Sequence, residues 1–218
     1  FWGDMGIDSS YIYSSRRIAT IASIRTPHDI KRLLHDPIFP RSIASFLFQR
    51  FGLRHEDLDF KLLSEFGFKS LEDRVGPKTN KNMLNDLVLG HTEKILRKAK
   101  MQRDAYEFYL SQYFDEKQKI GVVDIGYAGS MQKSIAELSD TKVHGFYMAT
   151  SQGIDNIGMS GHISRGYIVD RDFSKVTPIG INEHRFVYET IICCADDSFL
   201  GFDETTGLAA EFDVSGAI

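Results

Sequence analysis

The chain has 218 residues with 26 Lys+Arg against 30 Asp+Glu, a formal net charge of −4. With 42% apolar and 26% charged residues, 18 Gly and only 5 Pro, the composition is that of a folded globular protein and excludes a low-complexity or disordered one. The acidic balance argues against a general electrostatic grip on nucleic acid, and no apolar run reaches the roughly 20 residues that span a bilayer.

Taken in chain order, the sequence opens Phe1-Trp2-Gly3-Asp4 without Met, which reads as the start of a fragment of a longer polypeptide. Tyr11-Ile12-Tyr13-Ser14 is β-branched and aromatic and predicts a short buried strand. Ser15-Arg16-Arg17 follows directly, and Ile18 to Ile24 predicts a short apolar helix. Thr26-Pro27-His28-Asp29 is a helix start: a Thr cap, Pro in the first turn and an acid three residues on. From there to about Phe114 the pattern is helical. Ile43, Phe46, Leu47 and Phe51 recur at helical spacing before Gly52; Leu58, Leu62 and Phe66 do so before Gly67. A Lys/Asn-rich stretch then leads into one or two long helices.

The period changes after Lys119. Ile120-Gly121-Val122-Val123-Asp124 is a short apolar run ending in an acid and predicts a central parallel strand. Gly126-Tyr127-Ala128-Gly129-Ser130 predicts a tight turn, Met131 to Leu138 a helix, and Lys142 to Ala149 a second strand, together a strand–loop–helix–strand crossover. Tyr167-Ile168-Val169 predicts a third strand, Asn182 to Cys194 a helix, and Phe199 to Phe212 a terminal hairpin. The expectation is one α/β domain over residues 1–218: a Rossmann-like parallel core, completed by residues 117–218, with a large helical insertion at about 26–116. The adjacent Cys193 and Cys194 read as reduced core thiols of a cytosolic protein.

The chemistry gathers at the turn after Asp124. An acid at the carboxyl end of a parallel strand faces the crevice where α/β proteins bind ligands. Gly126 and Gly129 let an anion approach the backbone, the next helix offers unpaired N–H groups, and Ser130 adds a hydroxyl. That pattern predicts a phosphate cradle spanning Gly126, Tyr127, Ala128, Gly129, Ser130 and Met131. A Walker loop would need a Lys that is not there. A methyltransferase loop would need Gly where Ala128 and Ser130 stand, and an acid at the end of the next strand.

Several segments, in order, resemble a known family: Tyr11 to Arg17, Tyr106 to Leu110, the Val123-Asp124-Ile125-Gly126-Tyr127-Ala128-Gly129-Ser130-Met131-Gln132 loop, Gly145-Phe146-Tyr147, and Glu189 with Asp196 to Phe202. The chain resembles the phosphoribosyltransferase-like domain that accompanies haloacid-dehalogenase-type phosphatases in bacterial surface-polysaccharide (O-antigen or capsule) biosynthesis. The resemblance implies a sheet of the type I phosphoribosyltransferase kind. It also implies transfer of 5-phosphoribofuranose from phosphoribosyl pyrophosphate to a glycan or lipid-linked oligosaccharide, with Mg²⁺ and a partner phosphatase. Asp124 matches the ribose-contacting acid of that family, but the usual second, adjacent acid is replaced by Val123 or Ile125.

Departure of pyrophosphate calls for cations, and Arg16 and Arg17, beside Ser14 and Ser15, are the candidates, with Arg103 a further one. Asp124, His144 and Glu189 are the candidate bases, Glu189 because it stands among Phe186, Val187, Ile191 and Ile192. The expected setting is cytoplasmic, with a peripheral place at the inner membrane open. Two alternatives remain: a transferase using a nucleotide-sugar or S-adenosylmethionine donor, and a non-catalytic module that presents glycan to a linked phosphatase.

Overall fold

The computed structural model describes residues 9–114, 120–126, 128–151, 154, 162–171, 199–203 and 210–212. Tyr127, Glu189, the expected helix at 182–194 and its two cysteines lie outside the described residues. The chain divides into two compact units: an α/β unit of Phe1–Arg16, Glu107–Gly201 and Ala210–Ile218, and a helical unit of Arg17–Tyr106 and Phe202–Ala209.

The helical unit is built from helices that are each marked in sequence. The first, α1 (Arg16–Ser23), buries Ile18, Ala19, Ile21 and Ala22. In α2 (Pro27–Leu34) the expected capping box forms: the Thr26 side chain accepts from the Asp29 amide, and the Asp29 carboxylate takes the Thr26 amide at 2.9 Å. Next, α3 (Ile43–Phe51) buries Ile43, Phe46, Leu47 and Phe51 on one face and stops at Gly52, whose φ of +73° is left-handed. Then come α4 (Phe60–Glu65), α5 (Lys81–Gly90) and α6 (Thr92–Ser111). Ile21, Ile30, Leu47, Phe51, Leu87 and Ile95 are among the residues of a single apolar core. One element was not expected: β1 (Arg41–Ser42) and β2 (Arg74–Val75) pair antiparallel.

The α/β unit holds the expected crossover. The strands β3 (Ile120–Asp124) and β4 (Val143–Ala149) are parallel, in the register Asp124 opposite Tyr147, with α7 (Ser130–Ser139) between them in sequence. A third strand, β5 (Ser164–Val169), is parallel to β4, giving the order β3-β4-β5. Among the described residues β3 is therefore an edge strand and β4 the central one, a correction to the reading of β3 as central. The apolar run is half-buried instead of buried: along β3 burial alternates, and Val123 is 64% exposed. Residues β6 (Phe199–Phe202) and β7 (Ala210–Phe212) pair as a two-stranded sheet. Tyr11 to Ser14 forms no strand; the Tyr13 amide donates instead to the Tyr109 hydroxyl at 2.8 Å. Among the described residues no helix is long and apolar enough to cross a membrane.

Candidate anion site at the carboxyl edge of the parallel sheet

The apolar alternation of β3 ends at Asp124, and the chain turns immediately. The Gly126 amide donates to Asp124 Oδ1 at 2.8 Å, folding the carboxylate over its own loop. A Cβ at position 126 would lie 2.9 Å from Asp124 Oδ2, so only glycine leaves this carboxylate where it is. Among the described residues Oδ2 carries no hydrogen bond, and it is the oxygen available to a ligand hydroxyl.

Gly129 then takes a left-handed conformation, φ 72° and ψ 9°, as the residue before α7. A left-handed residue followed by a helical one turns successive N–H groups toward one concavity, a geometry that binds anions. Among the described residues no side chain caps α7, and its first turn holds no acid. Helices α2, α3, α4 and α5 are each capped by a side chain, from Thr26, Ser42, Asp59 and Asn80. The amides at Ser130 and Met131 thus keep both their unpaired donors and the positive end of the helix dipole. Ala128 and Ser130 are exposed, and Met131 is half-buried.

The helix is held to the sheet by Gln132, which is fully buried. Its Nε2 donates to the carbonyls of Val143 at 2.8 Å and Ile163 at 3.1 Å. Its Oε1 accepts the hydroxyls of Tyr147 at 2.9 Å and Ser164 at 2.8 Å. All four hydrogen-bonding positions of the carboxamide are filled, across two strands. A Cβ on Gly145 would collide with Gln132 Oε1 and the Tyr147 ring, which explains the glycine in the middle of β4. Burial, and then the nearby Asp124 charge, hold the Tyr147 phenol well above its ordinary value.

The two neighbouring strands end in a second polar cluster. Thr150, fully buried, donates its hydroxyl to Asp170 Oδ1 at 2.8 Å and accepts the Arg171 amide at 2.7 Å. Gly166 donates its amide to the same Asp170 oxygen at 3.0 Å. The guanidiniums of Arg171, at 2.6 Å, and Arg165, at 3.6 Å, share Asp170 Oδ2. Partial burial works to raise the Asp170 carboxyl, but the Gly166 amide, the Thr150 hydroxyl and the two guanidiniums outweigh it and hold the carboxyl below its usual range. Thr150, Asp170 and Arg171 were missed by the sequence reading. The signal was available, because Thr150 and Asp170-Arg171 come just after segments predicted as strands, at whose ends α/β sheets gather their ligands.

The remaining candidates are placed as follows. Arg16 is exposed at the start of α1, and Ser14 and Ser15 precede it, half-buried, in the α/β unit. Arg17 belongs to the helical unit, where its guanidinium lies 4.1 Å from the centre of the Phe48 ring. Arg103, also in the helical unit, donates through Nη1 to the carbonyls of Ala22 at 3.0 Å and Ile24 at 2.9 Å, closing the end of α1. His144 accepts the Ile163 amide through Nδ1 at 3.2 Å and so serves the β4–β5 connection. Among the described residues no group of three His, Cys, Asp or Glu side chains is arranged to hold a metal ion.

The chain matches no protein-family model and no curated protein.

Proposed function

We propose that the chain is a glycosyltransferase of the phosphoribosyltransferase kind, built on a type I sheet, which moves 5-phosphoribofuranose from phosphoribosyl pyrophosphate to a glycan acceptor. The observation that carries this reading is the pairing of an uncapped helix start, opened by left-handed Gly129, with a carboxylate at the end of the preceding parallel strand. Such a pair suits a ligand bearing a phosphate beside vicinal hydroxyls. The 5-phosphate would lie on the amides that open α7, from Gly129 to Met131, with the Ser130 hydroxyl, and Asp124 Oδ2 would accept a ribose hydroxyl.

In the reaction an acceptor hydroxyl oxygen forms a bond to ribose C1 as the C1–O bond to pyrophosphate breaks. Pyrophosphate departs with the bonding pair, and the acceptor proton passes to a base. Asp124 and Glu189 are the carboxylates proposed for the sugar and the acceptor, and Ser14, Ser15 and Arg16 of the α/β unit are, by their sequence positions, the groups proposed for the leaving pyrophosphate. Mg²⁺ would neutralise the leaving pyrophosphate and would be bound chiefly by the donor's own oxygens, since the loop contributes one carboxylate. The proposed partners are a glycan or lipid-linked oligosaccharide and a haloacid-dehalogenase-type phosphatase that removes the 5-phosphate, in the cytoplasm or at the inner membrane.

The test is calorimetry with phosphoribosyl pyrophosphate and Mg²⁺, joined to pyrophosphate release in the presence of candidate glycans. Binding that is lost in Asp124→Ala is expected. No binding, with Asp124→Ala indistinguishable from the parent chain, overturns the proposal. A thermal-shift panel with nucleotide sugars and S-adenosylmethionine separates the other donors, because a ligand at 100 times its Kd stabilises by about 2.7 kcal/mol.

A further inference from the structure

We propose that one end of the β1–β2 ribbon, in the helical unit, docks the protein on an anionic lipid bilayer: Phe39 enters the headgroup boundary while Arg41, Arg74, Lys78 and Lys81 meet the lipid phosphates. The surface lies in a different unit from the anion site, and the inference stands whether or not the proposed function does.

Charge is unevenly shared between the two units. Residues Arg17–Tyr106 and Phe202–Ala209 hold 17 Lys+Arg against 13 Asp+Glu, a balance of +4, and the rest of the chain holds 9 against 17, a balance of −8. The overall −4 therefore conceals a basic helical unit. Segments 31–41 and 69–81 alone carry seven cations against Asp36, Glu72 and Asp73. Among the described residues Arg41, Arg74, Lys78 and Lys81 make no ion pair. Arg74, Lys78 and Lys81 are exposed, and Arg41 is half-buried.

The ribbon brings these side chains to one place. Arg41 pairs with Val75 and Ser42 with Arg74, antiparallel, so the residues before β1 and those after β2 leave the same end. Gly76 lies against Pro40: a Cβ there would be 3.6 Å from the Pro40 Cα. Next outward come Phe39 on one side and Pro77-Lys78 on the other. Thr79 closes the turn, its amide donating to the Gly76 carbonyl at 3.0 Å and its hydroxyl accepting the Gly76 amide at 2.8 Å. Asn80 then caps α5, whose first residue is Lys81.

Phe39 is 66% exposed on a backbone that is held. The Arg50 guanidinium donates to the carbonyls of Leu33 at 3.1 Å, Asp36 at 3.2 Å and Pro37 at 2.7 Å, and Pro40 stiffens the other side. An apolar tip beside unpaired cations matches an anionic bilayer in both parts. Lipid phosphates attract the cations, and an aromatic ring is favoured where headgroups meet acyl chains. Screening confines the attraction to charges within about 8 Å of the lipid at physiological salt, so acids farther from the surface do not cancel it. Nucleic acid would use the cations but leave the Pro37–Pro40 tip in water.

The experiment is co-sedimentation of the full chain with vesicles of phosphatidylcholine alone, or mixed with phosphatidylglycerol, at low and high salt. Binding to the mixed vesicles that is lost at high salt, and no binding to phosphatidylcholine, is expected. Each lysine near an anionic surface contributes roughly fivefold to partition, so Lys78→Glu with Lys81→Glu should weaken binding at least tenfold. Phe39→Ser should weaken it about tenfold. Lys142→Glu, the same change of charge in the α/β unit, should leave it unaltered. All of these side chains are exposed, and each variant should unfold at the parent temperature. No binding to either vesicle, equal binding to both, or equal weakening by Lys142→Glu and by the Lys78, Lys81 pair overturns the inference. Affinity for a single-stranded oligonucleotide without affinity for the mixed vesicles overturns it too, and makes this a nucleic-acid surface. Phosphoribosyl pyrophosphate enters none of these outcomes, so the proposed function is judged separately.

Discussion

Tyr147 donates its hydroxyl to Gln132 Oε1 at 2.9 Å, and both residues are buried between α7 and the sheet. This bond ties the helix whose first amides form the candidate anion site to the strand beside Asp124. Tyr147→Phe removes one of two donors to Oε1 while Ser164 remains, so a loss of about 1 kcal/mol in unfolding free energy is expected. Gln132→Leu leaves the Tyr147 and Ser164 hydroxyls without their shared acceptor and takes one donor each from the Val143 and Ile163 carbonyls, the latter keeping the Gly145 amide at 2.8 Å. Its cost should be on the order of 3 kcal/mol or more, read by urea denaturation.

The same tyrosine sets an alkaline limit. Its phenol is raised in the folded chain by burial and then by Asp124, so the folded state holds this proton more tightly than the unfolded state does. Its contribution to stability is complete below the unfolded phenol value near pH 10 and is lost as pH climbs above it. Unfolding free energy should fall there by up to about 1.4 kcal/mol per pH unit, a slope that Tyr147→Phe lacks. A parent chain and Tyr147→Phe with parallel alkaline profiles would contradict this.

In the helical unit, Lys98 Nζ meets Asp57 Oδ2 at 2.9 Å with both side chains more than nine-tenths buried. Breaking a buried pair leaves one charge without its partner, and Lys98→Met should cost about 3–5 kcal/mol. The Arg54 amide also donates to Asp57 Oδ2, at 2.9 Å. Asparagine at 57 keeps an acceptor for that amide and sheds the charge. Lys98→Met with Asp57→Asn should therefore recover most of the loss, and a double variant no better than Lys98→Met alone would argue against the pair as its source.

Arg103 separates a structural role from a ligand role. Its two bonds to the Ala22 and Ile24 carbonyls predict that Arg103→Ala loses about 2–3 kcal/mol of stability. Donor affinity, measured well below the unfolding temperature, should be unchanged. A variant of parent stability that no longer binds donor would instead place Arg103 in the site.

Local signals in the sequence carried far. Thr26 and Asp29 announced their capping box, Gly52 its left-handed stop, and the Ile120–Ala149 pattern the β3–α7–β4 crossover. What escaped depends on partners distant in sequence. Tyr11 to Tyr13 has strand composition, yet the Tyr13 amide finds a hydroxyl 96 residues away rather than a neighbouring strand. The β1–β2 pair is two residues long and leaves no periodicity to read. Strand order is not written in apolar content, so β3 and β4, at the edge and the centre of the sheet among the described residues, look alike. Asp124 was legible because acid, glycines and helix are contiguous. The Thr150–Asp170 clamp spans 20 residues and shows itself only once β4 and β5 are side by side.

The loop glycines give the sharpest test of the anion site, because they fail for different reasons. At Gly126 a methyl group would press on Asp124 Oδ2 at 2.9 Å and turn the carboxylate away. Gly126→Ala should therefore weaken binding of phosphoribosyl pyrophosphate more than binding of inorganic phosphate, which needs only the amides. At Gly129 the difficulty is the backbone: with φ at 72°, alanine costs roughly 1–2 kcal/mol and rotates the amides that open α7. Gly129→Ala should weaken both ligands together, by about 10- to 100-fold if one or two charge-assisted bonds are lost. Asn, which tolerates the left-handed region, should restore part of that affinity. Equal effects of Gly126→Ala on the two ligands would remove Asp124 from the ribose hydroxyl while leaving the amide cradle in place.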